Sequence, residues 1–83
     1  MKITFKLFAT LSDYLPAGAV RNEVVLDRPD GHTVSSLINE HHLPEKLVHL
    51  VLVNGHFIDQ SSRQTHALKD GDTLAIWPPI AGG

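Results

Sequence analysis

Alternating and periodic apolar residues along the chain predict five strands and one helix. In residues 2–8, Ile3, Phe5 and Leu7 fall on one face and polar residues on the other, which is the period of two of a half-buried strand. Further stretches are apolar and rich in the β-branched and aromatic residues that strands favour. They comprise residues 23–27, 48–53 and 73–77, and a short returning strand that begins at 57–58.

A short amphipathic helix is predicted to follow Thr33. The Thr33 hydroxyl can accept a hydrogen bond from an otherwise unpaired backbone N–H, which is typical of a helix N-cap. One helical face is formed by positions i, i+3, i+4 and i+7, which are Val34, Leu37, Ile38 and His41. Pro44 ends the helix because proline cannot continue the backbone hydrogen bonding. The predicted helix therefore has about three turns.

The order of these elements indicates an α+β fold. Asn54-Gly55 predicts a tight hairpin turn, and Gly71 can adopt the positive φ that the turn at 68–72 needs. The first two strands should form a hairpin, and the helix should cross over one face of a mixed sheet. A β-grasp (ubiquitin-like) fold has this order, whereas a ferredoxin-like fold needs a second helix. We predict a β-grasp domain over 1–77, with four to five strands, and a flexible extended tail over 78–83.

Composition excludes several classes of function. The net charge of −2 lacks the basic excess that binding to nucleic acid requires. The absence of cysteine excludes disulfides, thiolate metal sites and cysteine nucleophiles. No apolar run approaches the ~20 residues of a membrane span, and Lys2 and Lys6 interrupt the first apolar stretch, so no signal peptide is indicated. We expect a cytoplasmic protein that binds neither nucleic acid nor membrane.

Candidate catalytic and metal-binding residues are scattered. Of the six histidines, His32, His49, His56 and His66 lie in different elements, and the adjacent His41 and His42 would point about 100° apart on a helix. Solvated or core-edge histidines are therefore favoured, with a zinc site across elements as the alternative. No G-x-S-x-G, P-loop or G-x-G-x-x-G pattern occurs, and turn formation explains the paired carboxylates Asp70 and Asp72. We predict no catalytic residue and no metal site.

The carboxyl-terminal residues carry the distinctive chemistry. Pro78 removes a backbone donor where the last strand would continue, and two successive prolines favour an extended exit. Without side chains, Gly82 and Gly83 allow the end of the chain to enter a narrow channel. The reactive group is the α-carboxylate of Gly83, which becomes an electrophile once ATP converts it to an acyl-adenylate. The alternative interpretation is an ordinary frayed terminus.

The uncovered face of the sheet is a candidate partner-binding surface. If Leu74 and Ile76 face the helix, then Trp77 lies on the opposite face beside the tail. We expect Val51 and Val53 to join Trp77 there, because exposed apolar patches mark interaction sites. The alternative is that Trp77 folds onto the edge of the core.

Two segments resemble the MoaD/ThiS sulfur-carrier family: Val51-Leu52-Val53-Asn54-Gly55 and the last sixteen residues, 68–83. The Pro-Pro exit, Trp77 and the ending Ile80-Ala81-Gly82-Gly83 are most similar to the small subunit of molybdopterin synthase. The resemblance implies that an adenylating enzyme of the ubiquitin-activating type uses ATP and magnesium to activate Gly83. A sulfur donor such as a cysteine desulfurase system then supplies the sulfur of a thiocarboxylate.

The same resemblance implies partners and roles for the tail. The thiocarboxylate on Gly83 would enter a larger, MoaE-like synthase subunit and give its sulfur to a pterin precursor of molybdenum cofactor. Gly82 would permit entry, and Trp77 would belong to the partner surface. The path of the tail would be lined by Pro78, Pro79, Ile80 and Ala81. The chain itself would bind no cofactor and have no active site. The alternatives are a thiamine-type carrier acting with a thiazole synthase, a ubiquitin-like protein modifier, and a plain β-grasp interaction module.

Overall fold

Two parallel strands lie at the centre of a five-stranded mixed sheet in the order β2-β1-β5-β3-β4. The structure is a computed structural model and describes residues 1–79. The strands are β1 (Lys2–Leu7), β2 (Glu23–Asp27), β3 (Leu50–Val53), β4 (His56–Phe57) and β5 (Thr73–Trp77), and the helix α1 is Val34–Glu40. Three short 3-10 turns are Ala9–Tyr14, Glu45–Leu47 and Gln60–Ser62. No pattern in the sequence predicted these turns.

The strand pairing has the predicted topology. β1 is antiparallel to β2 and parallel to β5, while β3 is antiparallel to both β5 and β4. A parallel pair cannot be joined by a tight hairpin, and the crossover between β2 and β3 contains α1. The α+β architecture, with one main helix on one face of a mixed sheet, is therefore confirmed.

The core lies between α1 and one face of the sheet. Alternation along β1 and β5 turns every second side chain toward α1, where it loses contact with water. The residues without exposed surface are Ile3, Phe5, Leu7, Leu11, Val34, Leu37, Val51, Leu74 and Ile76. Each of the larger ones contributes roughly 1.5–3 kcal/mol of hydrophobic stabilisation. This layer anchors β5, the strand that leads to the carboxyl terminus.

The helix is shorter than predicted, with seven residues and about two turns. Its start is confirmed, since the Ser36 N–H donates to Thr33 Oγ1 at 3.1 Å. Its end comes before Pro44 because His42 adopts a left-handed conformation with φ of 57°. The Leu43 N–H then bonds to the carbonyl of Ile38 at 3.2 Å, as in a Schellman motif. This motif depends on burial of Leu43, which periodicity alone does not reveal.

The predicted turns are confirmed. Asn54 and Gly55 both have positive φ, at 52° and 82°, as the two-residue turn between β3 and β4 requires. The returning strand begins one residue earlier than predicted, at His56. Gly71 has a φ of 88° in the turn before β5. Among residues 1–79, no helix has the length and apolar character needed to cross a membrane.

Candidate functional site

The end of β5 is held between two neighbouring strands. The Phe8 N–H donates to the carbonyl of Ile76, and the His49 N–H donates to the carbonyl of Trp77, both at 3.1 Å. Pro78 follows without an N–H to continue this pairing, and Pro79 is exposed. The prediction that Pro78 terminates the sheet is confirmed. The chain consequently leaves the fold from its centre and not from a free edge.

Four residues of the predicted site lie outside the described residues. They are Ile80, Ala81, Gly82 and Gly83. Their roles in the tail therefore remain predictions, as does the boundary between the domain at 1–77 and the tail at 78–83.

Trp77 lies on the face opposite α1. Its indole stacks on the ring of Phe8 with centroids 4.1 Å apart and planes inclined by 4°. The neighbouring Ile76 is fully buried on the α1 side, so alternation along β5 turns Trp77 away from the core. Trp77 remains half-buried and packs on Phe8, not on the edge of the core.

The expectation that Val51 and Val53 share this face is wrong. Val51 pairs with Ile76 and Val53 with Leu74, and residues directly opposite each other in an antiparallel pair point to the same face. Both valines are therefore turned toward α1, with 0% and 5% of their surface exposed. They stabilise the core and are not available to a partner. The residue that lies opposite Trp77 is Leu50.

An apolar face, defined by six residues, occupies the outer side of β3, β4 and β5. Its members are Phe8, Leu50, Leu52, Phe57, Ala75 and Trp77. Phe57 is 60% exposed and pairs with Leu52, which pairs in turn with Ala75. Such a cluster on a small protein is typical of an interaction site. Sequence reasoning found only Trp77, although alternation along β3 separates its leucines from its valines.

The other half of the outer side carries two charged pairs, with the exposed Val25 between them. Lys2 pairs with Asp27 at 3.1 Å, and Lys6 pairs with Glu23 at 3.9 Å, across β1 and β2. These exposed pairs contribute little to stability, but they make a hydrophilic boundary beside the apolar face. The apolar face therefore ends at β5, next to the exit of the carboxyl-terminal residues.

Asp72 links the start of β5 to the β3–β4 turn through hydrogen bonds. Its carboxylate is nearly buried and accepts hydrogen bonds from the Lys69 N–H and from Asn54 Nδ2, both at 2.8 Å. The Asn54 side-chain oxygen accepts from the Thr73 N–H at 2.9 Å. Asp70 similarly accepts from the Lys2 N–H. The interpretation of these carboxylates as turn-forming groups is confirmed, and their bonds hold β5 in register.

Residues 5–83 match the family model of the ThiS family. The chain belongs to the ThiS family. This match covers nearly the whole chain and confirms the resemblance to MoaD/ThiS carriers found in the sequence. Proteins of this family are small ubiquitin-like carriers, which is consistent with a β-grasp sheet and an exposed apolar face.

Solved structures share the fold of this ThiS-family chain. SAMP1 from Haloferax volcanii is 28% identical, with a TM-score of 0.68 and coverage of 100% of both chains. A Pyrococcus furiosus chain assigned to subunit 1 of molybdopterin converting factor is 26% identical, with a TM-score of 0.67 and coverage of 95% of this chain and 98% of that one.

A third structure shows the fold alone, because its identity is 19%. It is a chain of the complex of subunits 1 and 2 of molybdopterin-converting factor from Helicobacter pylori, with a TM-score of 0.63 and 100% coverage of both chains. No curated protein sequence matches the ThiS-family chain.

Two of the six histidines of this ThiS-family protein, His32 and His41, lie beside Glu40. His32 Nε2 is 3.1 Å from one Glu40 carboxylate oxygen and His41 Nε2 is 3.9 Å from the other, while the His41 ring packs on Phe5 with centroids 4.7 Å apart. Arg28 also binds Glu40, and its hydrogen bond holds the pKa of that carboxyl below the usual range. In the part of the chain that the structure describes, no three His, Asp or Glu side chains are grouped to hold a metal ion.

Proposed function

We propose that this ThiS-family chain is a cytoplasmic sulfur carrier that acts through Gly83 as the small subunit of a molybdopterin synthase. The observation that carries the proposal is the exit of the chain at Trp77. β5 is held in the centre of the sheet and leads into Pro78 and Pro79 beside the apolar face, and Gly82-Gly83 follow in the sequence. The proposal is supported by the position of this face at the end of the strand that precedes the carboxyl-terminal residues.

The proposed chemistry begins with the Gly83 carboxylate. Its oxygen attacks the α-phosphorus of magnesium-bound ATP in an adenylating enzyme of the ubiquitin-activating type, and pyrophosphate leaves. A sulfur nucleophile from a donor such as a cysteine desulfurase system then displaces AMP. A thiol serves as the reductant where sulfur arrives as a persulfide. The product is a thiocarboxylate at Gly83, and the catalytic side chains belong to the partners.

Docking of these partners is assigned to the apolar face. An aromatic pair such as Phe8 and Trp77 supplies the large, rigid contact area that dominates binding energy at interfaces. A larger synthase subunit as the second partner is supported by the 26% identity with the Pyrococcus furiosus chain assigned to subunit 1 of molybdopterin converting factor.

The test is the intact mass of the protein after incubation with ATP, magnesium, a sulfur donor and an adenylating enzyme. The expected result is replacement of one oxygen by sulfur, mapped to Gly83. A variant lacking Gly83 should fold and remain unloaded. If that variant still loads, or if the intact chain stays unmodified with several active adenylating enzymes, the carrier proposal is wrong. Adding a pterin precursor with a synthase subunit, or adding a thiazole synthase, then tests which acceptor takes the sulfur. The acceptor distinguishes the molybdenum branch from the thiamine branch.

A second candidate is a ubiquitin-like modifier joined to lysines through Gly83. The likeness to SAMP1, the small archaeal modifier protein 1 of Haloferax volcanii, favours this candidate, with 28% identity over both whole chains. It shares the activation step and differs in the acceptor, a lysine amine in place of sulfur. Lysine-linked adducts in cell extract under oxidising or sulfur-limited conditions would support it. Sulfur loading without any adduct would exclude it.

A further inference from the structure

A groove of about 260 Å³ lies on the α1 side of the sheet, between α1 and the connection from β4 to β5. It is lined by apolar and polar side chains together, among them Ile38, Val48, Gln60, Gln64, Glu45 and Arg63. Sites for independent small-molecule ligands usually have volumes of about 300–1,000 Å³. The groove is smaller than these sites, so it is better suited to a single side chain of another protein.

The backbone of Arg63 is fixed, but its side chain is poorly satisfied. The Ser35 N–H in the first turn of α1 donates to the Arg63 carbonyl at 2.9 Å. The Arg63 Nε–H, in contrast, is buried and has no hydrogen-bond partner among residues 1–79. Its Nη2 makes one long hydrogen bond, 3.4 Å, to the carbonyl of His49. Arg63 therefore brings donors to the groove that the described part of the chain does not satisfy.

The charges at the groove favour a carboxylate as the ligand. Among residues 1–79, no carboxylate oxygen lies within 4.0 Å of the Arg63 guanidinium. A buried donor without an acceptor is unfavourable, and rotation of the guanidinium toward the groove pairs Nε–H and Nη2–H with the two oxygens of one incoming carboxylate. The negative charge of Glu45 in the same groove opposes a doubly charged phosphate more than a singly charged carboxylate.

His49 connects Arg63 to the end of β5. Its carbonyl accepts from Arg63 Nη2 at 3.4 Å, and its N–H donates to the Trp77 carbonyl at 3.1 Å. These two bonds place Arg63 Nη2 within about 10 Å of the Trp77 carbonyl. A protein that docks on the apolar face at Trp77 can therefore reach the groove around the same end of the sheet.

We propose that Arg63 binds an aspartate or glutamate side chain of the adenylating enzyme that docks on the apolar face. The inference rests on the proposed function, which supplies this partner. The apolar face provides contact area for any apolar partner, whereas a partner without an acidic residue at the groove leaves the guanidinium unpaired. Arg63 is thus a specificity-determining residue for the choice of partner.

The first test is an NMR titration of the isotopically labelled full chain with sodium acetate, with sodium chloride as the control for ionic strength. The Arg63 Nε–H resonance should shift and saturate, with a Kd on the order of 10–100 mM for so small a ligand. Acetamide, the neutral isostere, should not shift it, and inorganic phosphate should bind no more tightly than acetate. Absence of a saturable shift, an equal response to acetamide, or tighter binding of phosphate would overturn the proposal.

Two substitutions in the groove should have opposite effects on acetate binding. Arg63→Gln should abolish it, and Glu45→Gln should tighten it by about two- to threefold, because the opposing charge is removed. The control Lys46→Gln changes the charge next to Glu45, outside the groove lining, and should leave the Kd for acetate unchanged. Weaker binding in Glu45→Gln, or equal effects of Arg63→Gln and Lys46→Gln, would contradict the assigned site. The titrations of the wild type and Glu45→Gln remain decisive if Arg63→Gln does not fold.

Calorimetry with the adenylating enzyme tests the occupant. Arg63→Gln should lower the affinity by about five- to twentyfold, and acetate at constant ionic strength should weaken binding of the wild type but not of Arg63→Gln. Equal affinities of the wild type and Arg63→Gln, with a loss of affinity in Trp77→Ala, would refute the role of the groove alone. Unchanged affinity in Trp77→Ala would refute docking on the apolar face, and failure of the mass assay would refute the carrier function.

Discussion

Replacement of Asp72 by alanine is the sharpest test of how β5 is held. The carboxylate accepts two hydrogen bonds, from the Lys69 N–H and from Asn54 Nδ2, each at 2.8 Å, and is only 9% exposed. Alanine removes both acceptors at once. The Asn54 amide oxygen, which accepts from the Thr73 N–H at the first residue of β5, loses its positioning partner as a consequence.

The expected loss is a large fraction of the total stability. A hydrogen bond to a charged group contributes about 1.5–3 kcal/mol, and an orphaned buried donor costs about as much. Lys69 and Asn54 are exposed enough to regain water, so we expect a loss of about 2–4 kcal/mol for the pair. A domain of this size has a free energy of unfolding of roughly 4–12 kcal/mol. With an m-value of about 1–1.5 kcal/mol/M, the urea midpoint should fall by about 2 M.

Urea unfolding followed by tryptophan fluorescence measures this loss, since Trp77 is the single tryptophan. Asp72→Asn is the matched control, because it retains an oxygen acceptor and should lose about half as much stability. Hydrogen exchange of the Lys69 and Thr73 amides should accelerate in Asp72→Ala. A loss below about 0.5 kcal/mol, within the usual range of a surface substitution, would show that these bonds do not hold β5.

Three further predictions concern the two faces of the sheet and the acid stability. Trp77→Ala should weaken binding to the adenylating enzyme by roughly tenfold or more, as measured by calorimetry. The control Val25→Ala, at an exposed apolar position on β2, should leave that affinity unchanged. Val51→Ala should leave the affinity for the adenylating enzyme unchanged and lower the free energy of unfolding, measured in urea, by about 1.5–3 kcal/mol. Weaker binding with unchanged stability would show that Val51 belongs to the partner surface. The hydrogen bond from Arg28 lowers the pKa of Glu40 from its ordinary 4.5. Ionised Glu40 therefore stabilises the fold above pH 4.5, and this contribution is lost as the pH falls through the lowered pKa. The free energies of unfolding of Glu40→Gln and wild type, measured in urea, should differ by up to about 1 kcal/mol at neutral pH and converge in acid. A difference that stays constant with pH would contradict the linkage.

Local patterns in the sequence were sufficient for most of the elements. The alternation of Ile3, Phe5 and Leu7 determined β1 and its buried face, because a strand has a side-chain period of two whatever it pairs with. Asn54-Gly55 determined a hairpin turn because few residue pairs accept two positive φ angles. The tail motif after Trp77 similarly indicated the family, since it places Pro-Pro and Gly-Gly directly after a predicted strand.

The tertiary structure determined which faces of the strands pack against α1. Alternation separates Val51 and Val53 from Leu50 and Leu52, but both sets are apolar, and only the pairing of Val51 with Ile76 turns the valines inward. Pairing register joins residues far apart in the sequence, so no local period encodes it. The stack of Phe8 on Trp77 arises in the same way, from the parallel pairing of β1 and β5.

The helix end and the contact of Arg63 with His49 also needed the folded chain. The helix ends at Glu40 because His42 turns the backbone and Leu43 becomes buried. Burial of Leu43 stabilises this helix end only when the rest of the core is folded. Arg63 reaches His49 across fourteen positions of sequence. Sequence by itself therefore determined the helix, the strands and their order, and it indicated the family. The packed structure determined the exposed face and the surroundings of Trp77, because these depend on contacts between distant residues that only close packing brings together.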